Sequence, residues 1–159
     1  MSAMTEQTEP SADRLWGLPD PVLQPDFYAG VPSKRLAAWV IDVGLILLIT
    51  LLALPFTAFT ALFVLPLFFT IIGFAYRTVT LARGSATWGM RIMAIEIRSA
   101  RGEKLDLTTA ALHTLAYSAC ITFVLPQVAS VILMLTGARA QGLPDFLLGT
   151  AAINRPANP

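Results

Sequence analysis

The sequence predicts an all-α membrane protein. It would comprise a two-helix transmembrane hairpin, a third long apolar helical segment kinked or re-entrant at Pro126, and a small cytoplasmic β-hairpin. Three observations predict this class. The 159 residues are 55% hydrophobic and only 13% charged, with a mean hydropathy of +0.66, whereas soluble chains carry about 25% charge. A chain this short leaves too much of its surface exposed to hide such an apolar excess in its own core. The few charges are also sorted: none falls between Val43 and Tyr76, and none between Leu107 and Ala138 if His113 is neutral. Finally, the alternating segments of about ten residues that mark a membrane β-barrel are absent.

Residues 1–30 hold five acids (Glu6, Glu9, Asp13, Asp20, Asp26) and prolines at 10, 19, 21 and 25. They read as a disordered, acidic, cytoplasmic tail, with local ordering expected only near Trp16 and Phe27–Tyr28. No apolar stretch precedes Leu36, so the segment does not have the pattern of a signal peptide.

The first apolar block, Leu36 to Tyr76, would run about 61 Å as one helix, twice the roughly 30 Å hydrocarbon core. Pro55 interrupts it near the middle, where a helix interior would lose a hydrogen bond. This predicts helices at about 36–54 and 60–76, with Pro66 a kink and Tyr76–Arg77 an interfacial anchor at the end of the second. The second block, about 108–136, would make roughly 48 Å of helix. It is either one tilted, kinked span or two short legs, Thr108–Leu125 and Gln127–Thr136, that dip in and return. The turn at Pro55 has no Lys or Arg, while the segment between the blocks has Arg77, Arg83, Arg91, Arg98, Arg101 and Lys104. The positive-inside rule then places the N-terminus and this middle segment in the cytoplasm.

Within the middle segment, about 88–107, Ile95 and Ile97 alternate with Glu96 and Arg98, which suggests a strand. Ser99–Gly102 reads as a turn and Glu103–Leu107 as the returning strand. The rival is an amphipathic helix with Trp88, Ile92 and Ile95 on one face. The arginines here could meet anionic lipid headgroups, each worth about 1 kcal/mol, or could lie on a solvated face that only sets topology.

Asp42 is the one formal charge inside an apolar block. Seven residues turn a helix by about 700°, so Arg35 and Asp42 share a face, but Arg35 snorkels toward the interface and does not fully reach Asp42. A carboxylate at mid-membrane costs roughly 2.5–3.5 kcal/mol on insertion scales. Its expected partners are Arg77 or His113. Asp42 is either structural, as an ion pair or a neutral acid bonded to a carbonyl, or an ion or proton site. His113 alone is more readily a structural histidine than a relay.

Tyr28-Ala29-Gly30-Val31-Pro32-Ser33-Lys34-Arg35-Leu36-Ala37-Ala38-Trp39-Val40-Ile41-Asp42 resembles the opening of the RDD family of membrane proteins, named for an arginine and two aspartates. Thr87-Trp88-Gly89-Met90-Arg91, followed by Ile95-Glu96-Ile97, resembles the family's Thr-x-Gly turn and strand. Gln141-Gly142-Leu143-Pro144-Asp145-Phe146-Leu147-Leu148-Gly149-Thr150 is similar to its closing motif. Pro144 departs from it, since many members have histidine or another polar residue there. The resemblance covers about 28–154 and implies a membrane domain over 31–154, followed by a short tail at 155–159. It also implies that Arg35, Asp42 and Asp145 work together, which requires the second block to return and favours Ala151–Asn154 pairing with the middle hairpin. The family's suggested role is transport of unidentified ligands.

No enzyme constellation is present: no His-Glu-x-x-His, no Gly-x-Ser-x-Gly and no phosphate-binding loop. The net charge of +1 gives no nucleic-acid footprint. One histidine and one cysteine leave no metal site beyond carboxylates, and no cofactor is expected. Cys120 reads as a packing residue. The expectation is a multi-pass protein of the bacterial inner membrane. It either transports a small solute or ion through an intramembrane aspartate, or serves as a non-catalytic scaffold or assembly factor. Its partners would be the bilayer and copies of itself or other membrane proteins.

Overall fold

A computed structural model describes residues 17–156. Helix α1 (Val31–Ala53) starts five residues before the expected Leu36, because Gly30 takes a left-handed conformation (φ 67°) and Pro32 stands in the first turn, where a missing N–H removes no helix bond. Two short 3-10 turns, Leu54–Thr57 and Thr60–Val64, reverse the chain. Between them Ala58 and Phe59 both adopt positive φ. Helix α2 (Leu65–Gly84) then returns.

Two expectations fail in α2 for physical reasons. Pro66 does not kink the helix; it lies in the first turn, for the same reason as Pro32. Tyr76 and Arg77 do not end it either. The helix continues to Gly84 and carries both side chains inward, with Arg77 buried.

Only 22% and 11% of the most apolar stretches of the two spanning helices is buried. Leu47, Leu48, Leu51, Leu52, Phe63, Leu67 and Ile71 stay exposed. An apolar surface of this extent belongs in hydrocarbon rather than water.

Helix α3 (Trp88–Ile92) follows, so part of the rival helical reading holds beside the strand β1 (Ile95–Ser99). The expected return strand at Glu103–Leu107 does not form. Ser85 occupies that edge of β1: its carbonyl accepts from Ile97 N (2.7 Å) and its hydroxyl accepts from Leu105 N (2.7 Å). Asp106 then caps helix α4 (Leu107–Thr122) through Thr109 N. The partner of β1 is instead β2 (Thr150–Asn154), antiparallel, with Ile97 opposite Ala152.

Helix α5 (Val124–Thr136) meets α4 at a bend of 114°. The break is at Phe123 and not at Pro126, which sits in the first turn of α5. The legs are about 24 and 20 Å long, each too short to cross the hydrocarbon core. Helix α6 (Leu143–Leu148) and β2 then bring the chain back to the start of α1, where Lys34 Nζ donates to Asn154 Oδ1 (2.8 Å). The second block therefore dips in and returns.

The buried core gathers at this end, where Val31, Ala38, Leu81, Met90, Ile95, Ile97, Leu105 and Ala152 pack together. The tail expected to be disordered over 1–30 is ordered from Gly17 onward. Leu18 and Tyr28 pack on Ala151 and Ile153, and Asn154 Nδ2 donates to the carbonyls of Asp26 and Ala29. Trp16 and the acids Glu6, Glu9 and Asp13 lie outside the described residues, as do the last residues of the 155–159 tail.

Pairing of β1 with β2 places both ends of the domain on one side of the membrane. Reporters fused before Met1 and after Pro159 should therefore read the same compartment. A reporter in the Ala58–Phe59 turn should read the opposite one.

Candidate functional site

Two buried carboxylates organise the polar interior. Asp42, on α1, is 1% exposed and receives donors from two other elements. Its Oδ1 accepts from Tyr76 Oη (2.7 Å) and Gly89 N (2.9 Å). Its Oδ2 accepts from Thr87 Oγ1 (2.6 Å) and faces Arg77 Nη1 at 3.9 Å. No backbone carbonyl is among these partners, so the alternative of an acid donating to one does not apply.

The Thr-x-Gly turn is built for this contact. Thr87 caps α3, its hydroxyl oxygen accepting from Met90 N while its proton goes to Asp42. Gly89 comes so close to α1 that a Cβ would sit 2.2 Å from the Ala38 carbonyl oxygen and 2.9 Å from Asp42 Oδ1. Tyr76 is positioned in turn, accepting from Trp88 N (3.0 Å).

Asp145, in the first turn of α6, is fully buried. Its Oδ1 pairs with His113 Nε2 (2.8 Å) and accepts from Thr150 Oγ1 (3.2 Å). Its Oδ2 accepts from Gly142 N (3.0 Å), closing the helix cap, and is bonded by Arg35 Nη1. Burial alone pushes this carboxyl up, but Arg35 and His113 beside it outweigh burial and hold it well below the usual carboxylate range. Arg35, Gly142 N and Thr150 Oγ1 all donate to this carboxylate, so in its bond with His113 the imidazole Nε2 is the donor.

Arg35, Asp42 and Asp145 are thus not one constellation. Arg35 pairs with Asp145 and Asp42 with Arg77; His113, the other partner considered for Asp42, serves Asp145 instead. Aromatic side chains of α4 and α1 pack beside the Asp42 cluster. Tyr117, one turn beyond His113, lies under the Arg77 guanidinium (3.8 Å to the ring centre) and accepts from Trp39 Nε1 (2.8 Å). Every carboxylate oxygen accepts at least one hydrogen bond, but the bases retain open positions. Arg77 Nε and His113 Nδ1 are buried without a hydrogen-bond partner. Tyr76, Thr87, Gly89, Gly142 and Thr150 complete the clusters without having been assigned as ligands from sequence. For Thr87 and Gly89 the available signal was the Thr-x-Gly turn; for Tyr117 it was the one-turn spacing from His113.

Two spanning helices, a re-entrant pair and interior ion pairs define a multi-pass integral membrane protein. A family model described as RDD family matches residues 29–149, and the chain belongs to that family. No curated protein and no solved structure matches it.

The depressed Asp145 carboxyl contributes stability that is full above the ordinary carboxylate pKa of about 4 and is lost as pH falls through its lower folded value. Thermal melts of the solubilised protein should drop as pH falls below that point. Asp145→Asn should start lower and lose this acid dependence, while Arg35→Gln should cost about 3–5 kcal/mol by stranding a buried charge. Gly89→Ala should lower stability by about 1–3 kcal/mol through overpacking against Ala38, measured by the same melts at neutral pH.

Proposed function

We propose that this protein transports a small solute or ion across the bacterial inner membrane, as a non-catalytic carrier. The N-terminus, the segment between the apolar blocks and the C-terminus lie in the cytoplasm. The observation that supports this most directly is the pair of open positions on the bases of the two clusters, Arg77 Nε and His113 Nδ1, beside well-bonded carboxylates. Intramembrane ionisable groups are costly and by default functional. Here the carboxylates hold the bases in place and the bases keep unused valence. The re-entrant α4–α5 pair supports the same reading, since helices broken at membrane depth recur where transporters bind their cargo. Because one copy contributes only two spans and a short wedge, the pathway forms in a homo-oligomer.

A scaffold role is favoured by one feature. Gly44 has nothing within 4 Å of its Cβ position and lies on a flank of α1 with Val40, Leu47 and Leu48 exposed, which permits close approach of a partner helix. Ala38, by contrast, is already covered by Gly89.

Flux into proteoliposomes tests transport, using a panel of alkali cations, protons, chloride, phosphate and small neutral solutes. Wild-type protein should move at least one of them. Asp42→Asn and Arg77→Lys should each reduce that flux about tenfold or more while inserted protein stays near wild-type amounts. No flux above protein-free vesicles across the panel, with a defined membrane protein co-purifying after gentle solubilisation, would instead establish the scaffold role.

A further inference from the structure

The short helix α3 contributes to more than the Asp42 cluster. Gly89 and Met90 face α1, but Trp88 (53% exposed) and Ile92 (62%), one turn apart, face outward. With Ile41, Leu45, Ile49 and Tyr76 they line an open, almost wholly apolar recess of about 440 Å³. Ile41, Leu45 and Ile49 follow one another at single-turn intervals along α1, so the recess runs about 12 Å from α3 into the hydrocarbon. The row is long enough for an extended apolar chain lying along the helix.

Against Trp88, one of the residues that line the recess, packs an arginine without an acid. Arg35, Arg77 and Arg98 are partly or wholly buried and each pairs with a carboxylate. Arg91 is half-buried as well, yet among the described residues it makes no ion pair. Its guanidinium is held by packing: it lies 5.1 Å from the Trp88 ring centre and against Gly84, where a Cβ would come within 2.3 Å of Nη2. Its Nε is buried with no hydrogen-bond partner. A half-buried guanidinium left without an anion is costly, and its fork of donors suits a phosphate.

We propose that this recess binds one anionic phospholipid. An acyl chain lies along Ile41, Leu45 and Ile49, and the headgroup phosphate meets Arg91 beside Trp88. Charge complementarity selects this occupant: the apolar length takes the chain, and the unpaired cation at its edge takes the phosphate. Tyr76 and Trp88 give their rings to the recess and their polar atoms to the Asp42 cluster, so a seated lipid also closes the cluster off from water on that flank. The proposal is independent of what the protein transports.

Native mass spectrometry of the full chain in detergent tests it. The protein is offered equimolar phosphatidylglycerol and phosphatidylcholine with identical acyl chains. Wild type should retain one phosphatidylglycerol in preference, by about fivefold, as expected for one cation near the headgroup. Arg91→Gln should abolish the preference, and Arg83→Gln, exposed at the end of α2, should leave it unchanged. If Arg91→Gln does not fold, Ile92→Gln at its exposed position should lower retention of both lipids by disrupting the apolar wall. Equal retention of the two lipids by wild type overturns the proposal. So does an equal loss of preference in Arg83→Gln and Arg91→Gln, which would mean diffuse charge, and so does unchanged retention in Ile92→Gln.

Discussion

A carboxylate removed from water must have its oxygens bonded, because desolvating the charge costs several kcal/mol even after relaxation. Here that requirement places short elements that could not place themselves. Helix α3 has five residues and α6 has six, both far below the length at which isolated helices persist. Asp42 holds α3 through Thr87 and Gly89, and Asp145 holds α6 against α1 and α4 through Arg35 and His113. Helix α1 is the common member, giving an acid to one cluster and a base to the other from positions seven residues apart.

In lipid, the hydrophobic effect does little to drive one apolar helix against another. Burial is accordingly concentrated at the end of the molecule that carries the β1–β2 sheet, where Ile95, Ile97 and Ala152 are fully buried. The outer halves of α1 and α2 make sparse contact, for example Gly73 against the Ile46 side chain. Registry between the spans is set near their sheet end, by Tyr76 and Arg77 reaching Asp42 across one turn of α2. The polar clusters thus supply the specificity that apolar packing in a bilayer leaves open.

What the sequence made legible follows from which signals are local. The two spans and the isolation of Asp42 are visible because charge is scarce and sorted, and that scarcity leaves Arg77 and His113 as its candidate partners, of which Arg77 is the one that faces it. The end of α2 was misread because an aromatic–basic pair after an apolar run has the composition of an interfacial belt. Nothing in the local pattern says that the helix continues and turns the pair inward. Pro66 and Pro126 were misread for a related reason: a proline inside an apolar run looks like a break, but in a first turn it removes no hydrogen bond. The β1–β2 pairing and the Arg35–Asp145 bond join residues more than fifty and a hundred positions apart. Local periodicity does not carry such links, and the ordered motifs of the family resemblance were the only indication of them.

The distribution of unused hydrogen-bonding capacity then narrows what chemistry the interior can serve. Asp145 has two partners on each oxygen, and Asp42 accepts two hydrogen bonds on Oδ1 and one on Oδ2, which also faces the Arg77 charge, so the carboxylates are largely occupied by protein donors. Besides the Thr78 hydroxyl, buried atoms left open around the clusters and the recess lie on bases: Arg77 Nε, Arg91 Nε and His113 Nδ1. An arginine Nε carries a hydrogen and can only donate. A species that engages Arg77 or Arg91 must therefore bring acceptors, as a phosphate, a carboxylate or a carbonyl-rich solute does. The acids fix the geometry and the bases face the visitor.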